Sequence, residues 1–477
     1  MSEHLDNETD PTAVDYELVE QIRTAVNRKL EDLENSKGKL GPADLREMAK
    51  NLIMRELGDH ALASAMRGEE ALTANQELAV SAAVVSRMFG MGRLEYLLDM
   101  PEVEDIYVCG ADPVTVKYFG GEQQVLPPIA SSDEDLREQV QAIATHHGQD
   151  ERSISTAQPF LNIELPGKDA RLAFMFGVTP RPIVTIRRHR YVNVTLDDLV
   201  QWGTISRPMM ALLQAAVMGR KSILIAGAQG TGKTTALRAL CACIAPEERF
   251  ATMETEYELL LHTIPGRFPL LIPIQERMGT GDKDVSGASA GEIGLGDVFP
   301  WTLRHTVKRI VVGEVRSAEV LPMMRAMSRG LRGSMATFHV DSVYETFESL
   351  AALLTDYRPA LTREAAMRQI TAALDFVVFI DQEAGTDPIT GRPTELRYVS
   401  DIIQVGDVTE STGIPSTTAL FTEHKDPNVR RLDPRGYPTG LTLTDDLWAR
   451  RAGLDMEWLT NTSLGAWDRP FLLRELA

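Results

Sequence analysis

Gly227-Ala228-Gln229-Gly230-Thr231-Gly232-Lys233-Thr234-Thr235 follows the apolar run Ile223-Leu224-Ile225-Ala226 and precedes the helix-forming run Ala236-Leu237-Arg238-Ala239-Leu240. Glycines at 227, 230 and 232 let the backbone turn several N–H groups into one concavity, and the helix that follows adds the positive end of its dipole. Phosphate oxygens fit such a concavity. Lys233 is spaced to reach the β- and γ-phosphates and the Thr234 hydroxyl to ligate Mg²⁺, with Thr231 and Thr235 beside them. The spacing predicts a loop for ATP and Mg²⁺.

Such a loop needs a second strand that brings a carboxylate toward the metal or the attacking water. "RIVVGEVR", residues 309 to 316, supplies one: three apolar residues, Gly313, then Glu314 at the strand's end. "ATMETEYELLLH" places Glu254 and Glu258 after another apolar strand start, and "RGSMATFHVDS" places His339 after a third. All three would emerge at the carboxyl edge of a parallel sheet, where ligands sit in open α/β folds.

The elements that must position these groups are legible from periodicity. Residues 1–14 are acidic and aperiodic, a disordered tail by composition. Region 15–100 reads as helical: Leu18, Ile22, Val26, Leu30 and Leu33 share one face, a second helix runs from Ala43 to Leu57, and Thr73-x-x-Gln76 opens a third as a capping box. From 101 to 188, "DIYVC", "VTVKYF", "LNIEL", "RLAFMF" and "IVTIRR" are strand-like, with a helix from Asp133 to His147 capped by Ser132. This is a small α+β domain. A linker, 189–195, leads into 196–405, where helices alternate with strands as a parallel sheet requires and "FVVFI" and "ELRYVSDIIQV" form a closing hairpin. Residues 406–477 are less periodic and read as an appended segment.

Composition excludes several classes. With 49 Lys and Arg against 68 Asp and Glu, the net charge of −19 argues against broad contact with nucleic-acid phosphates. Cys109, Cys241 and Cys243 have no metal-ligand spacing and no disulfide framework, which fits a reducing cytosol. No apolar run approaches the ~20 residues that span a bilayer, and the N-terminus lacks a signal-peptide pattern, so membrane contact is expected to be peripheral.

Taken in order, GxxGxGKTT, Glu254 and Glu258, "LRH", "VVGEVR" and the G-x-x-GS-x-x-T-x-H pattern ending at His339 resemble the traffic ATPases of type II and type IV secretion. Within them the chain looks most like the CpaF (tight-adherence) pilus-assembly type, a likeness that reaches "GMGRLEYLLDMPEVEDIYVCGADPVTVKYFGG" upstream and covers roughly residues 75 to 405. The resemblance implies a P-loop (RecA-like) α/β ATPase domain behind a small α+β domain and a helical segment. It implies a cytosolic hexamer at the inner face of the membrane that clamps nucleotide between its domains and pushes on a polytopic platform protein to assemble pili or secrete protein.

Resemblance also assigns roles. Lys233 and Thr234 match the phosphate-loop pair, Glu258 the glutamate that orients or deprotonates water, and Glu254 its neighbour. Glu314 matches the second strand's glutamate, placed near Mg²⁺, and His339 a γ-phosphate sensor. Arg304 matches an arginine near nucleotide, and Arg187 and Arg188 match interdomain arginines that reach phosphates. Three positions depart from the family pattern: Thr255 stands where it has Asp, Gln229 where it has Thr, and Leu331 where it has His. The stretch 279–296 is longer than the corresponding loop. Two other readings fit the same engine: a conjugative DNA-transfer ATPase, and a degenerate ring subunit that holds ATP with little hydrolysis.

Overall fold

Alternate residues of Ile223–Gly227 go to opposite faces: Ile223 and Ile225 enter one buried apolar cluster, Leu224 and Ala226 another. Period-two pleating does this to any strand covered on both sides. The computed structural model describes residues 14–473 apart from 38–40, 71, 101, 120, 148–158, 166, 189–190, 278–290, 329, 392 and 466. The chain divides into two compact units, Met1–Arg190 and Tyr191–Ala477.

The first unit begins with helices α1 (Tyr16–Lys37), α2 (Pro42–Arg67) and α3 (Ala74–Phe89). Leu18, Ile22, Val26 and Leu30 of α1 are buried in one cluster with Ile53 and Leu57 of α2 and Val80 and Val84 of α3. Thr73 closes a capping box: its hydroxyl accepts the Gln76 N–H, and the Gln76 side chain accepts the Thr73 N–H. Helix α2 outruns its expected end at Leu57 because Gly58 is absorbed into it, and the left-handed C-cap falls on Gly68, at φ 72°.

After a short α4 (Arg93–Asp99) come β1 (Val103–Cys109), β2 (Val114–Tyr118), β3 (Gln123–Leu126), α5 (Asp133–His147), β4 (Phe160–Leu165), β5 (Ala170–Met175) and β6 (Ile183–Arg188). The strands form one antiparallel sheet in the order β3-β2-β1-β6-β5-β4. Leu136, Val140 and Ile143 of α5 fill its core with Ile106, Val108, Leu172 and Ile186. Ser132 caps α5, its hydroxyl accepting the Asp135 N–H at 3.1 Å. Strand β3 escapes sequence reading because it has almost no apolar alternation: three of its four residues are exposed.

The second unit runs α6 (Leu196–Trp202), α7 (Arg207–Met218), β7 (Ile223–Gly227), α8 (Lys233–Cys241), β8 (Ala251–Glu254), β9 (Ile272–Gln275), α9 (Leu295–Thr302), β10 (Ile310–Val315), α10 (Val320–Ser328), β11 (Met335–His339), α11 (Thr346–Tyr357) and α12 (Arg363–Ala373). It ends with β12 (Phe376–Thr386), β13 (Pro393–Val408), β14 (Pro415–Glu423) and β15 (Gly436–Pro438). The nine-stranded sheet is ordered β15-β14-β13-β12-β7-β11-β10-β8-β9. Neighbours from β12 to β9 are parallel, and β12, β13, β14 and β15 are successively antiparallel.

The described residues of 406–477, expected as an appended segment, contribute to this sheet and its core. β14 and β15 extend the sheet, and Leu443, Ala449, Leu454, Met456 and Leu459 are buried in the cluster that holds Ile223 and Ile225. Most of the stretch 279–296 lies outside the described residues. At its base, Arg277 and Ile293 exchange backbone hydrogen bonds of 3.0 and 2.9 Å.

Candidate nucleotide site

The phosphate loop starts where β7 leaves the sheet. Gly227 lies against the neighbouring strand so closely that a Cβ there would stand 2.2 Å from the Ile380 carbonyl oxygen. Gly230 and Gly232 hold φ of 81° and 95°, the left-handed region that an L side chain resists. Gly232 is the N-cap of α8, so the helix begins at Lys233 with its free N–H groups at the loop. The buried Thr231 hydroxyl braces the turn by donating to the Ala228 carbonyl at 2.9 Å.

Lys233 is buried, and its ammonium donates to the carbonyls of Gly227 at 2.9 Å and Ala228 at 2.7 Å. Burial pulls it below the usual lysine range, against the opposing pull of the Glu314 and Glu258 carboxylates. Those two carboxylates therefore share an electrostatic neighbourhood with the loop lysine. His339, exposed at the end of β11, pairs in register with Gly227 and brings Nδ1 to 3.5 Å from the Lys233 ammonium.

Topology explains the convergence. β7, β11, β10 and β8 are consecutive in the sheet and parallel, so Lys233, His339, Glu314 and the Glu254–Glu258 segment lie at or just past the carboxyl ends of four adjacent strands. Glu314 is half-buried, with Arg316 Nε at 3.6 Å. Thr234 and Thr235, on the first turn of α8, are likewise half-buried. The cradle suits a triphosphate: one glycine where a Cβ would collide, two more in the left-handed region, a helix N-terminus and a poised ammonium. Thr234 would hold Mg²⁺ with the phosphates, and the metal would neutralise charge on the transferring group.

Glu254 is placed differently from its neighbours. It is buried, and one carboxylate oxygen accepts the backbone N–H of Glu258 at 3.0 Å and of Leu259 at 2.8 Å. Burial pushes its carboxyl up to about 7. Gly313 makes room for it, since a Cβ there would lie 2.8 Å from Glu254 Cγ. Glu254 thus shapes the turn that presents Glu258.

Sequence reasoning missed Arg238. From α8 its buried guanidinium donates to the carbonyls of Leu259 at 3.1 Å and Tyr191 at 2.7 Å, and also to that of Glu258. The helix behind the phosphate loop is thereby tied to the segment carrying Glu258. A lone arginine within Ala-Leu-Arg-Ala-Leu was the available signal.

Arg187 makes a two-pronged pair with the buried Asp105, at 2.8 and 3.3 Å, and Arg188 donates to the Met100 carbonyl at 2.5 Å, all inside the first unit. Arg304 stacks on Trp301, its guanidinium carbon 4.4 Å from the ring centroid. Of the departures, Leu331 packs on an apolar cluster, Gln229 is exposed, and the Thr255 hydroxyl lies 3.4 Å from Arg316 Nη2.

Fold and loop together define an α/β protein of the P-loop class. Residues 100–382, more than half the chain, match the type II/IV secretion system protein family, and the chain belongs to that family. It is 29% identical over 309 residues to a Mycobacterium tuberculosis protein provisionally named for conjugal transfer, covering 62% of this chain and 82% of that one. It is 27% identical over 268 residues to the type IV secretion system protein VirB11 of Brucella suis, covering 51% of this chain and 71% of the relative. Among solved structures, the Legionella pneumophila ATPase DotB aligns with a TM-score of 0.44 at 17% identity, over 68% of this chain and 81% of that one.

Proposed function

We propose that the chain is an ATPase that powers secretion or pilus assembly. The observation that carries this reading is the convergence of Lys233, Glu258, Glu314 and His339 at the carboxyl ends of four adjacent strands. Water would attack the γ-phosphorus as the bond to the bridging oxygen breaks, with Glu258 taking the water's proton and ADP leaving. Lys233 and Thr234-bound Mg²⁺ would stabilise the charge that develops on the phosphoryl oxygens. Glu314 would hold the metal's water shell, and His339 would report the γ-phosphate.

On family grounds the motor is a homo-hexamer, acting from the cytoplasm on a polytopic inner-membrane platform, with membrane contact peripheral. Among the described residues no helix is long and apolar enough to cross a membrane. The CpaF-type assignment rests on the motifs between residues 75 and 405. Purified full-length protein should release phosphate from MgATP and scatter light as about six subunits with a slowly hydrolysed analogue. Absence of hydrolysis in that species would favour the degenerate ring subunit.

A second reading is conjugative DNA transfer, favoured by the relatives named for conjugal transfer. The charge of −19 speaks against direct contact with DNA. Salt-dependent DNA binding by the purified protein would turn the choice toward it.

A further inference from the structure

The three loop glycines all face one ribbon of chain from outside the motif. β12 pairs with β7 over Phe376–Phe379, whereas its pairing with β13 continues from Phe376↔Gln404 to Thr386↔Pro393. Residues 380–386 and 393–399 therefore extend past the β7 pairing as a two-stranded antiparallel ribbon alongside the phosphate loop. A Cβ on Gly227 would meet the Ile380 carbonyl oxygen at 2.2 Å, one on Gly230 the Gln382 carboxamide at 3.8 Å, and one on Gly232 the Arg397 Cδ at 3.4 Å. Gln382 and Arg397 are cross-strand partners in the ribbon.

Arg397 makes the polar contact between ribbon and loop. Its Nε donates to the Gly230 carbonyl at 2.9 Å, while Nη2 lies 3.4 Å from a carboxylate oxygen of Glu395. Both members of that ion pair are well exposed, and such pairs contribute little. The bond to Gly230 is the more consequential one. A trans peptide unit is planar, so its C=O and the next residue's N–H point in opposite directions. Holding the Gly230 oxygen toward the ribbon turns the Thr231 N–H away from it.

We propose that Arg397 is a positioning residue of the nucleotide site. It fixes the Gly230–Thr231 peptide plane so that the Thr231 N–H is set in advance as a phosphate donor. This rests on the ATPase reading above and adds to it a residue far from the loop in sequence. Preorganising a donor saves the ordering that binding would otherwise require, so affinity depends on it. The guanidinium also adds a positive charge beside the loop.

The test compares wild type, Arg397→Ala, Arg397→Lys and Glu395→Ala in full-length protein, reading fluorescent-ADP affinity, ATP kinetics and nucleotide-free melting. Losing a charge-assisted bond to the loop should weaken ADP binding by about tenfold in Arg397→Ala. KM for ATP should rise more than kcat falls. Arg397→Lys, which retains one donor, should recover part of the affinity, and Glu395→Ala should bind like wild type. If Arg397→Ala fails to fold, Arg397→Met, which keeps the stem, carries the same expectation. ADP affinity equal to wild type in a folded Arg397→Ala, or an equal loss in Glu395→Ala, would overturn the proposal while leaving the ATPase reading intact. A wild-type protein that binds no ADP would instead remove the ATPase reading, and this proposal with it.

Discussion

The Lys233 ammonium and His339 Nδ1 lie 3.5 Å apart although 106 residues separate them in the chain. The parallel pairing of β7 and β11 makes them neighbours, with His339 opposite Gly227. A γ-phosphate drawn to Lys233 would arrive beside the imidazole. His339→Ala is therefore expected to lower kcat by about tenfold or more, as loss of one preorganised polar group does, while changing ADP affinity little. Steady-state hydrolysis alongside ADP titration checks this. An equal loss in ADP binding would make His339 a part of the loop's scaffold.

Glu258 and Glu314 are the carboxylates that act on Lys233. Gln at either position keeps the shape and removes the charge and basicity. Each variant should bind labelled ATP and turn it over about a hundredfold or more slowly. Rapid filtration with labelled ATP would reveal the trapped complex. Wild-type turnover in Glu314→Gln would reduce "RIVVGEVR" to a core strand.

Glu254 gives stability a pH dependence of definite sign. Its carboxyl rises from an ordinary value of 4.5 to about 7 on folding, so the folded state binds its proton more tightly than the unfolded one. The group's contribution is fully present below about pH 4.5 and is lost as pH rises through 7, by on the order of 3 kcal/mol at most. Glu254→Gln should gain stability relative to wild type across that interval, read by urea melts between pH 5 and 8. A difference between the two proteins that stays constant with pH would contradict the assignment.

Arg304 stacks on Trp301 and has no carboxylate partner among the described residues. If it completes a neighbouring subunit's site, mixing inactive Arg304→Ala and Lys233→Ala proteins restores sites that pair an intact loop with an intact arginine. Partial recovery of hydrolysis is the expected result. Rings shown by mass to be mixed yet inactive would return Arg304 to a role within its own subunit.

The parts of the site legible in the sequence are those written in short local patterns. The loop's glycines sit within six positions, and each carboxylate or imidazole follows an apolar run that is a strand in the structure. Arg238 and Arg397 were not legible, because what they bind is fixed by tertiary neighbours: Arg238 by the turn after β8, Arg397 by the β12–β13 ribbon. β14 and β15 were missed for another reason. β14 carries neither strand signal, since only Pro415, Leu420 and Phe421 of its nine residues are buried and they show no period-two alternation, and β15 is only three residues long.

Lys233→Ala is the most direct test of the nucleotide site. The ammonium already sits on the loop's own carbonyls, ready to transfer to phosphate. Removing it should cut MgATP hydrolysis by about a hundredfold or more while circular dichroism remains that of wild type. Hydrolysis at the wild-type rate in a folded Lys233→Ala protein would contradict the account.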